Sequence, residues 1–526
     1  MNTLPPGSPP TLSRRALLGA AVAGTGAGLL AGCTSGGAAP VPVGSRPTAS
    51  TSVTPTSAPP QGPSWSVLQS RMTGRLYVPG ASGYDQVRLT ANPRYDGLRP
   101  AAVARCASAQ DVAAAVAFAR DGSVPFTVRA GGHSYTGAST GSGLVIDVSA
   151  MNRVSVDPGT GRVRMGAGAR LADVYTAVAA AGRAVAAGSC PSVGATGLTL
   201  GGGVGVLTRG WGLTCDQLVS YELVTADGTV RTVDADVDAD LFWAGQGGAG
   251  GSFGAVTALT LQTRPAPYLT LFAMGWPWEA AADVVQAWQQ WGPATDPRCW
   301  STCKVQAGPG RPATVLVAGV WDGPDASLAP VLSALRASVG APAAWYSSSR
   351  HGYLEAMMIE AGCRGDTCHL PPAGTLVREP LAATSHMPAA AMSRTAAAAM
   401  VSTVESAAST PGLHVVTASL DALGGAVAAR SPASTAFVHR LSPFSVQYTA
   451  TWTDVRLPGA RFDSVVRGIR AAMTPYLGNG AYVNYADAAL VDWPDAYWGA
   501  NYPRLQSIKR AYDPHELFSS GQSVRA

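Results

Sequence analysis

The sequence predicts an α+β protein of two folding parts with a distinct C-terminal segment. Three observations carry this reading. From Ala101 to about Thr263, short β-branched runs alternate with stretches of helical periodicity. After Arg264–Leu269 ("RPAPYL") the runs become longer and strand-like, interleaved with Ala-rich helices. From about residue 478 the chain returns to dense, motif-like sequence. The length of 526 residues fits two or three folding units rather than one core.

The first 33 residues read as an address. Ser13-Arg14-Arg15 precedes an apolar run, Ala16 to Leu30, too short and too rich in small residues to span a membrane. A twin arginine at this place resembles the export signal of the bacterial route that carries folded proteins, a route suited to a protein loaded with its cofactor in the cytoplasm. Leu30-Ala31-Gly32-Cys33 resembles a lipoprotein cleavage box with Cys33 as the lipidated residue; an ordinary cleavage site is the alternative. Residues 34–64, rich in Ser, Thr, Pro, Gly and Ala, read as a disordered tether, and order is expected from near Trp65.

The first folding part, residues 65–265, follows. "DVAAAVAFARDG" (Asp111 to Gly122) has helical spacing, an acid near its start and glycine where the helix should stop. "VPFTVRA", "GLVIDVSAM" and "RVRMGAGA" read as strands, and "RLADVYTAVAAAG" (Arg170 to Gly182) as a helix ended by glycine. In residues 266–477, "YLTLFAMGW" and "ATVLVAGVWDG" read as strands and "EAAADVVQAWQQW" as a helix.

Charge is mild, 37 Lys and Arg against 32 Asp and Glu, and no basic stripe marks a nucleic-acid partner. Nearly all the cations are arginine; Lys304 and Lys509 are the only lysines. Of eight cysteines, Cys363 with Cys368 could close a small loop, and Cys299 with Cys303 is another possible pair. His369 beside Cys368 invites a zinc reading, but no second Cys/His pair follows at metal-site spacing, so no metal is expected. Cys106 and Cys215 read as ordinary buried cysteines.

Three glycine-rich stretches carry the chemistry. "RAGGHSYTGAST" (Arg129 to Thr140) places one histidine after a double glycine. "AAGSCPSVGATGLTLGGGVG" (Ala186 to Gly205) follows a Cys-Pro turn with Gly201, Gly202, Gly203 and Gly205. "DLFWAGQGGAGGSFGAVTAL" (Asp240 to Leu259) is a further glycine-rich loop running into a strand. Dense glycine lets backbone N–H groups approach a ligand. The second of these does not match the G-x-G-x-x-G dinucleotide fingerprint.

Together, Arg129-Ala130-Gly131-Gly132-His133-Ser134, Gly188-Ser189-Cys190-Pro191-Ser192-Val193-Gly194 and Asp240-Leu241-Phe242-Trp243 with Gly247-Gly248 and Phe253-Gly254 resemble the FAD-linked oxidases of the berberine bridge enzyme type. These lie within the vanillyl-alcohol oxidase and p-cresol methylhydroxylase superfamily. "YVNYADAALVDWPDAYWGANYPRLQSIKRAYDPHELF" (Tyr482 to Phe518) carries the matching C-terminal elements. The resemblance runs from about Pro79 to Phe518 and is weakest in the middle. It implies a two-part FAD-binding domain of the p-cresol methylhydroxylase type, with residues 478–526 completing it. It also implies an α/β substrate domain with an antiparallel sheet.

The same resemblance implies FAD tethered twice, through His133 to the 8α-carbon and through Cys190 to C6, which fixes the ring and makes it a better electron acceptor. Arg129, Gly131, Gly132, Ser134, Val193, Gly194, Gly197, Gly201, Gly202, Val256, Tyr482 and Asn484 complete the expected cofactor contacts, with Gly131 and Gly132 presenting amides to the pyrophosphate. Tyr485 is expected as the base for the substrate hydroxyl, with Tyr482 as fallback; a phenolate at neutral pH would need a positive or hydrogen-bonding neighbour. Gln447 is expected to face the reacting edge, and Asp421 to orient the tyrosine or a hydroxyl. Val193, small at a position that gates oxygen, favours an oxidase that makes hydrogen peroxide. The expected substrate is an alcohol, best a sugar or oligosaccharide. A secondary-metabolite tailoring enzyme is the alternative, and a non-catalytic flavoprotein or binding module a third.

Overall fold

The computed structural model describes residues 64–249, 251–363 and 378–526. The signal, Cys33 and the tether up to residue 63 lie outside them, as do Cys368 and His369. Trp65 opens the first helix, Trp65–Ser70, and Trp65–Ala526 form one compact unit.

The fold is α+β. A four-stranded sheet holds Phe126–Arg129 and Ala102–Arg105 in parallel on either side of Leu144–Asp147, with Arg75–Tyr77 antiparallel at its edge. Leu144–Asp147 is buried throughout, as a strand covered on both faces must be. The helix Ala109–Asp121 is capped by the Ser108 hydroxyl and stops at Gly122. A five-stranded antiparallel sheet packs into the same core, with Ala255–Gln262 between Arg162–Gly166 and Leu218–Val224. "DLFWAG", expected within a loop, is a helix, Ala239–Gly245. Leu241, Trp243 and Ala244 bury one of its faces, and that packing outweighs the surrounding glycines.

The other major sheet is antiparallel and seven-stranded, in the order Trp345–Gly352, Tyr268–Trp276, Arg311–Trp321, Cys299–Gly308, Leu413–Ala422, Phe444–Trp452, Leu381–His386. Successive side chains along Phe444–Trp452 point to opposite faces. Phe444, Val446, Tyr448, Ala450 and Trp452 face a second core with the helices Ala281–Ala294, Arg394–Ala407 and Gly459–Leu477. Ser445, Gln447 and Thr449 therefore share the opposite face with their register partners Asp421, Ser419 and Thr417. The sheet thus turns a polar face away from its helices.

Cys299 and Cys303 are free and buried on one strand, which corrects the pairing considered for them. Four residues of extended chain separate their Cα atoms by roughly 13 Å, beyond the reach of a disulfide. Cys363 is disulfide-bonded; Cys368, its expected partner, lies outside the described residues.

Candidate active site

The histidine loop is anchored from below. Arg129 closes its strand with an ion pair of 2.7 Å to Asp147, its register partner, and donates to the carbonyls of Val87 and Arg88. Both side chains are almost fully buried. Arg129 is therefore occupied within the protein and braces the loop, a correction to its expected cofactor contact. Ser134 is also spent locally, bonding Thr136 and accepting from the Ala138 amide.

The cysteine loop is held by the helix Leu171–Ala180. The amides of Leu171 and Ala172, free at a helix start, donate to the carbonyls of Val193 and Pro191. The two loops meet at their glycines: a Cβ on Gly131 would lie 2.2 Å from the Gly194 nitrogen, and one on Gly194 2.5 Å from the Gly131 nitrogen. Gly131 is thus required for contact between protein loops, while Gly132 takes a positive φ of 70° that glycine accommodates. This contact brings the reactive side chains together. Ser192 Oγ lies 3.0 Å from His133 Nε2 and 3.5 Å from Cys190 Sγ.

Burial, with help from Arg170, pushes the His133 imidazole down to about 4, so it is neutral at pH 7 with a nucleophilic nitrogen. Cys190 is exposed, whereas Cys106, Cys215, Cys299 and Cys303 are buried with thiols pushed up by burial. Among the described free cysteines, the thiol open to a ligand is thus the one beside His133. Further along the same loop, Ser139 and Thr140 have buried hydroxyls with no protein partner. These belonged to the quoted loop but were not singled out; an unpaired buried hydroxyl is visible only in three dimensions.

The C-terminal segment closes the other side. A Cβ on Gly201 would lie 2.0 Å from Asn484 Oδ1, and Asn484 Nδ2 donates to Leu198 O at 3.0 Å and to the Tyr482 hydroxyl at 2.9 Å. Tyr482 also accepts from the Gly203 amide at 2.7 Å. Fully enclosed, with burial raising its pKa, Tyr482 fastens the glycine turn. It has no free lone pair for a substrate proton, which removes it as fallback base. Gly202 needs its positive φ of 125° here. Gly197 faces open space, and Val256 is buried in the core on Ala255–Gln262.

Tyr485 sits in an aromatic group with Tyr135 and Tyr482. Its ring stacks on Tyr135 at 6.0 Å and meets Tyr482 edge-on at 4.9 Å. Gln447 Nε2 donates to the Tyr135 hydroxyl at 2.8 Å. The polar face of the seven-stranded sheet thereby reaches the histidine loop, and Tyr135 joins the site although sequence reasoning passed over it. No cation lowers the Tyr485 pKa. Burial raises it well above 10, and Asp421, Tyr135 and Tyr482 add to the rise. Burial thus opposes the phenolate expected at Tyr485. Asp421 is itself raised by burial, with Thr302, Lys304 and Ser419 opposing.

Among the described residues no three His, Cys, Asp or Glu side chains gather as a metal site, and no helix is long and apolar enough to cross a membrane.

Comparison with known proteins places this geometry. Residues 100–234 match the FAD binding domain family and residues 481–525 the berberine and berberine-like family. The FAD-linked oxidoreductase YgaK of Bacillus subtilis is 32% identical over 464 residues, covering 87% of this chain and 98% of its own. The chitooligosaccharide oxidase of Gibberella zeae is 29% identical over 451 residues, covering 81% and 87%. The solved glucooligosaccharide oxidase of Acremonium strictum, with a 6-S-cysteinyl, 8α-N1-histidyl FAD, superposes with a TM-score of 0.79 at 26% identity, covering 88% and 98%. With motifs, fold and full-length relatives in agreement, the chain belongs to the berberine bridge enzyme-like family of FAD-linked oxidoreductases.

Proposed function

We propose that this oxidoreductase is an oxidase with doubly tethered FAD that oxidises a carbohydrate hydroxyl and passes the electrons to O2. The observation that carries the reading is the meeting of His133 and Cys190 around Ser192, beneath the Tyr135–Tyr485–Gln447 group. A neutral, half-buried imidazole and an exposed thiol suit the two attachments. The orphaned hydroxyls of Ser139 and Thr140 suit a polar cofactor that would complete their hydrogen bonds. His133 and Cys190 would hold the FAD, which would supply a two-electron acceptor for the carbinol hydride, reoxidised by O2 with release of hydrogen peroxide.

The protein's own part is proton handling. Tyr485 accepts the substrate hydroxyl proton as its own proton moves toward Asp421, so no isolated phenolate is required. A carboxyl lifted by burial is the better base for this work. Gln447 orients Tyr135, whose hydroxyl is pushed up to about 12 by burial and stays protonated to donate to the sugar. The polar strand face, with Thr302, Ser419 and Thr449, offers hydroxyls of the kind that bind saccharides. Val193, a small, half-buried side chain at the position expected to gate oxygen, supports O2 as the acceptor.

We further propose export by the twin-arginine signal and anchoring through lipid on Cys33. Mass spectrometry of membrane fractions from wild type and Cys33→Ala would detect or miss the acylated N-terminus.

The test of the activity is a panel of mono- and oligosaccharides with peroxide detection and matched artificial acceptors. Peroxide formed in step with sugar consumed supports the oxidase. Turnover only with the artificial acceptor would make it a dehydrogenase, and turnover only of aglycone alcohols would favour the tailoring alternative.

A further inference from the structure

The strand Phe444–Trp452 carries a polar group that the proton path leaves unused. Ser445 stands two residues before Gln447 on the same face of the sheet, directly in register with Asp421. It is fully buried, and among the described residues its hydroxyl has no hydrogen-bond partner. A buried hydroxyl without a partner destabilises a fold, whereas alanine would fill the same space without that penalty. Such a group calls for a partner in another state of the molecule.

Asp421 has an in-register neighbour on each side. On one side stands Thr302, whose Oγ1 lies 3.1 Å from Ser419 Oγ, so those two hydroxyls are already engaged with each other. On the other stands Ser445. Directly opposed residues of an antiparallel pair have Cβ atoms about 4.5–5.5 Å apart. One χ1 rotation therefore carries the Ser445 Oγ to the half-buried Asp421 carboxyl.

The same face reaches the reaction site by direct contact. Ser419 pairs with Gln447, Gln447 donates to the Tyr135 hydroxyl at 2.8 Å, and the Tyr135 ring stacks on Tyr485. The titratable groups that act on Asp421 come from other elements. They are Lys304 on the strand Cys299–Gly308, Glu360 at the end of the helix Tyr353–Glu360, Tyr135 in the histidine loop and Tyr485 in the C-terminal segment. Ser445 carries no charge, so it acts on Asp421 by hydrogen bonding alone.

We propose that Ser445 is a positioning residue for the base: its hydroxyl turns to donate to Asp421 while the carboxyl is ionised, and is released when the carboxyl takes the proton passed on by Tyr485. The donated bond favours the charged form and fixes the carboxylate on the sheet face that carries Gln447. This assignment rests on the proton path proposed above.

The experiment is Ser445→Ala in the FAD-loaded protein, a substitution that changes no charge. The acid limb of kcat/KM should move up by about one pH unit, the effect of losing a hydrogen bond to an ionised group. The flavin spectrum should stay the same, and the melting temperature should equal or exceed that of wild type. A limb that stays in place, or a lower melting temperature without a shifted limb, would overturn the assignment and leave Ser445 a structural residue. Asp421→Asn separates this inference from the proton path. A limb that persists in Asp421→Asn means that the path has failed; one that flattens there yet is unmoved in Ser445→Ala removes only the serine. If the path fails or no sugar turns over, pH-difference infrared spectra read the carboxyl directly, its C=O stretch recognised by its absence in Asp421→Asn. That band should titrate about one pH unit higher in Ser445→Ala than in wild type, and an unchanged midpoint would overturn the inference.

Discussion

Gly131 and Gly194 stand back to back, each with its Cα where a side chain on the other would have to be. That contact joins the histidine loop to the cysteine loop and sets His133 and Cys190 on either side of Ser192. Gly131→Ala would place a methyl 2.2 Å from the Gly194 nitrogen. Backbone cannot yield as a flexible side chain does, so a loss of about 2–4 kcal/mol is expected. Thermal melts should show the loss, and acid-denatured protein should retain less flavin. Normal attachment at unchanged stability would show that the loops are held together by something else.

The proposed tethers predict a pattern. His133→Ala and Cys190→Ala should each retain flavin after acid denaturation through the remaining bond, and the double variant should release it. The singles should also turn over more slowly, because a ring with one tether is the poorer acceptor. Flavin freely extracted from wild type would remove the covalent assignment.

The proton path makes a prediction about pH. Tyr485→Phe should lower kcat by about 10²–10⁴-fold with a modest change in KM, because it removes a group acting on the reacting hydroxyl. Asp421 is raised above the ordinary carboxylate range, and in the proposed path its ionised form is the base, so kcat/KM should climb with pH through an acid limb above pH 4. Asp421→Asn should flatten that limb. Because the Tyr485 phenol lies well above 10, no second rise from phenolate formation is expected below pH 10. A rise centred near pH 7 to 8 that vanishes in Tyr485→Phe would restore the phenolate mechanism.

Acid should destabilise the apoprotein through buried imidazoles. His133 and His439 are pushed down to about 4 and His386 to about 3, each chiefly by burial. The unfolded chain takes up these protons near pH 6.5 while the folded chain does not, so it binds more protons and stability rises with pH. The contribution is complete above about pH 6.5 and is lost as pH falls toward 4 and, for His386, toward 3. Urea melts at steps from pH 7.5 to 4.5 should show the midpoint falling, and His386→Gln should shallow the slope. A midpoint constant across that range would contradict the burial assigned to these rings.

Much of this protein was legible in its sequence for a local reason. Helical periodicity and the Gly122 stop record which face "DVAAAVAFARDG" buries, and that face is the one the structure buries. Residue types with few alternatives, a histidine and a cysteine amid glycines, marked the positions that could meet a cofactor. The sequence could not assign what depends on neighbours distant along the chain. Arg129 reads as a ligand-binding cation until Asp147 is seen beside it, 18 residues away. Tyr482 and Tyr485 share one motif, yet Gly203, 279 residues before Tyr482, occupies one phenol while Asp421 stands near the other. Composition and periodicity fix which groups are present and which way each element faces. Tertiary packing decides which lone pairs are already spent, because hydrogen bonding and burial are set by three-dimensional neighbours.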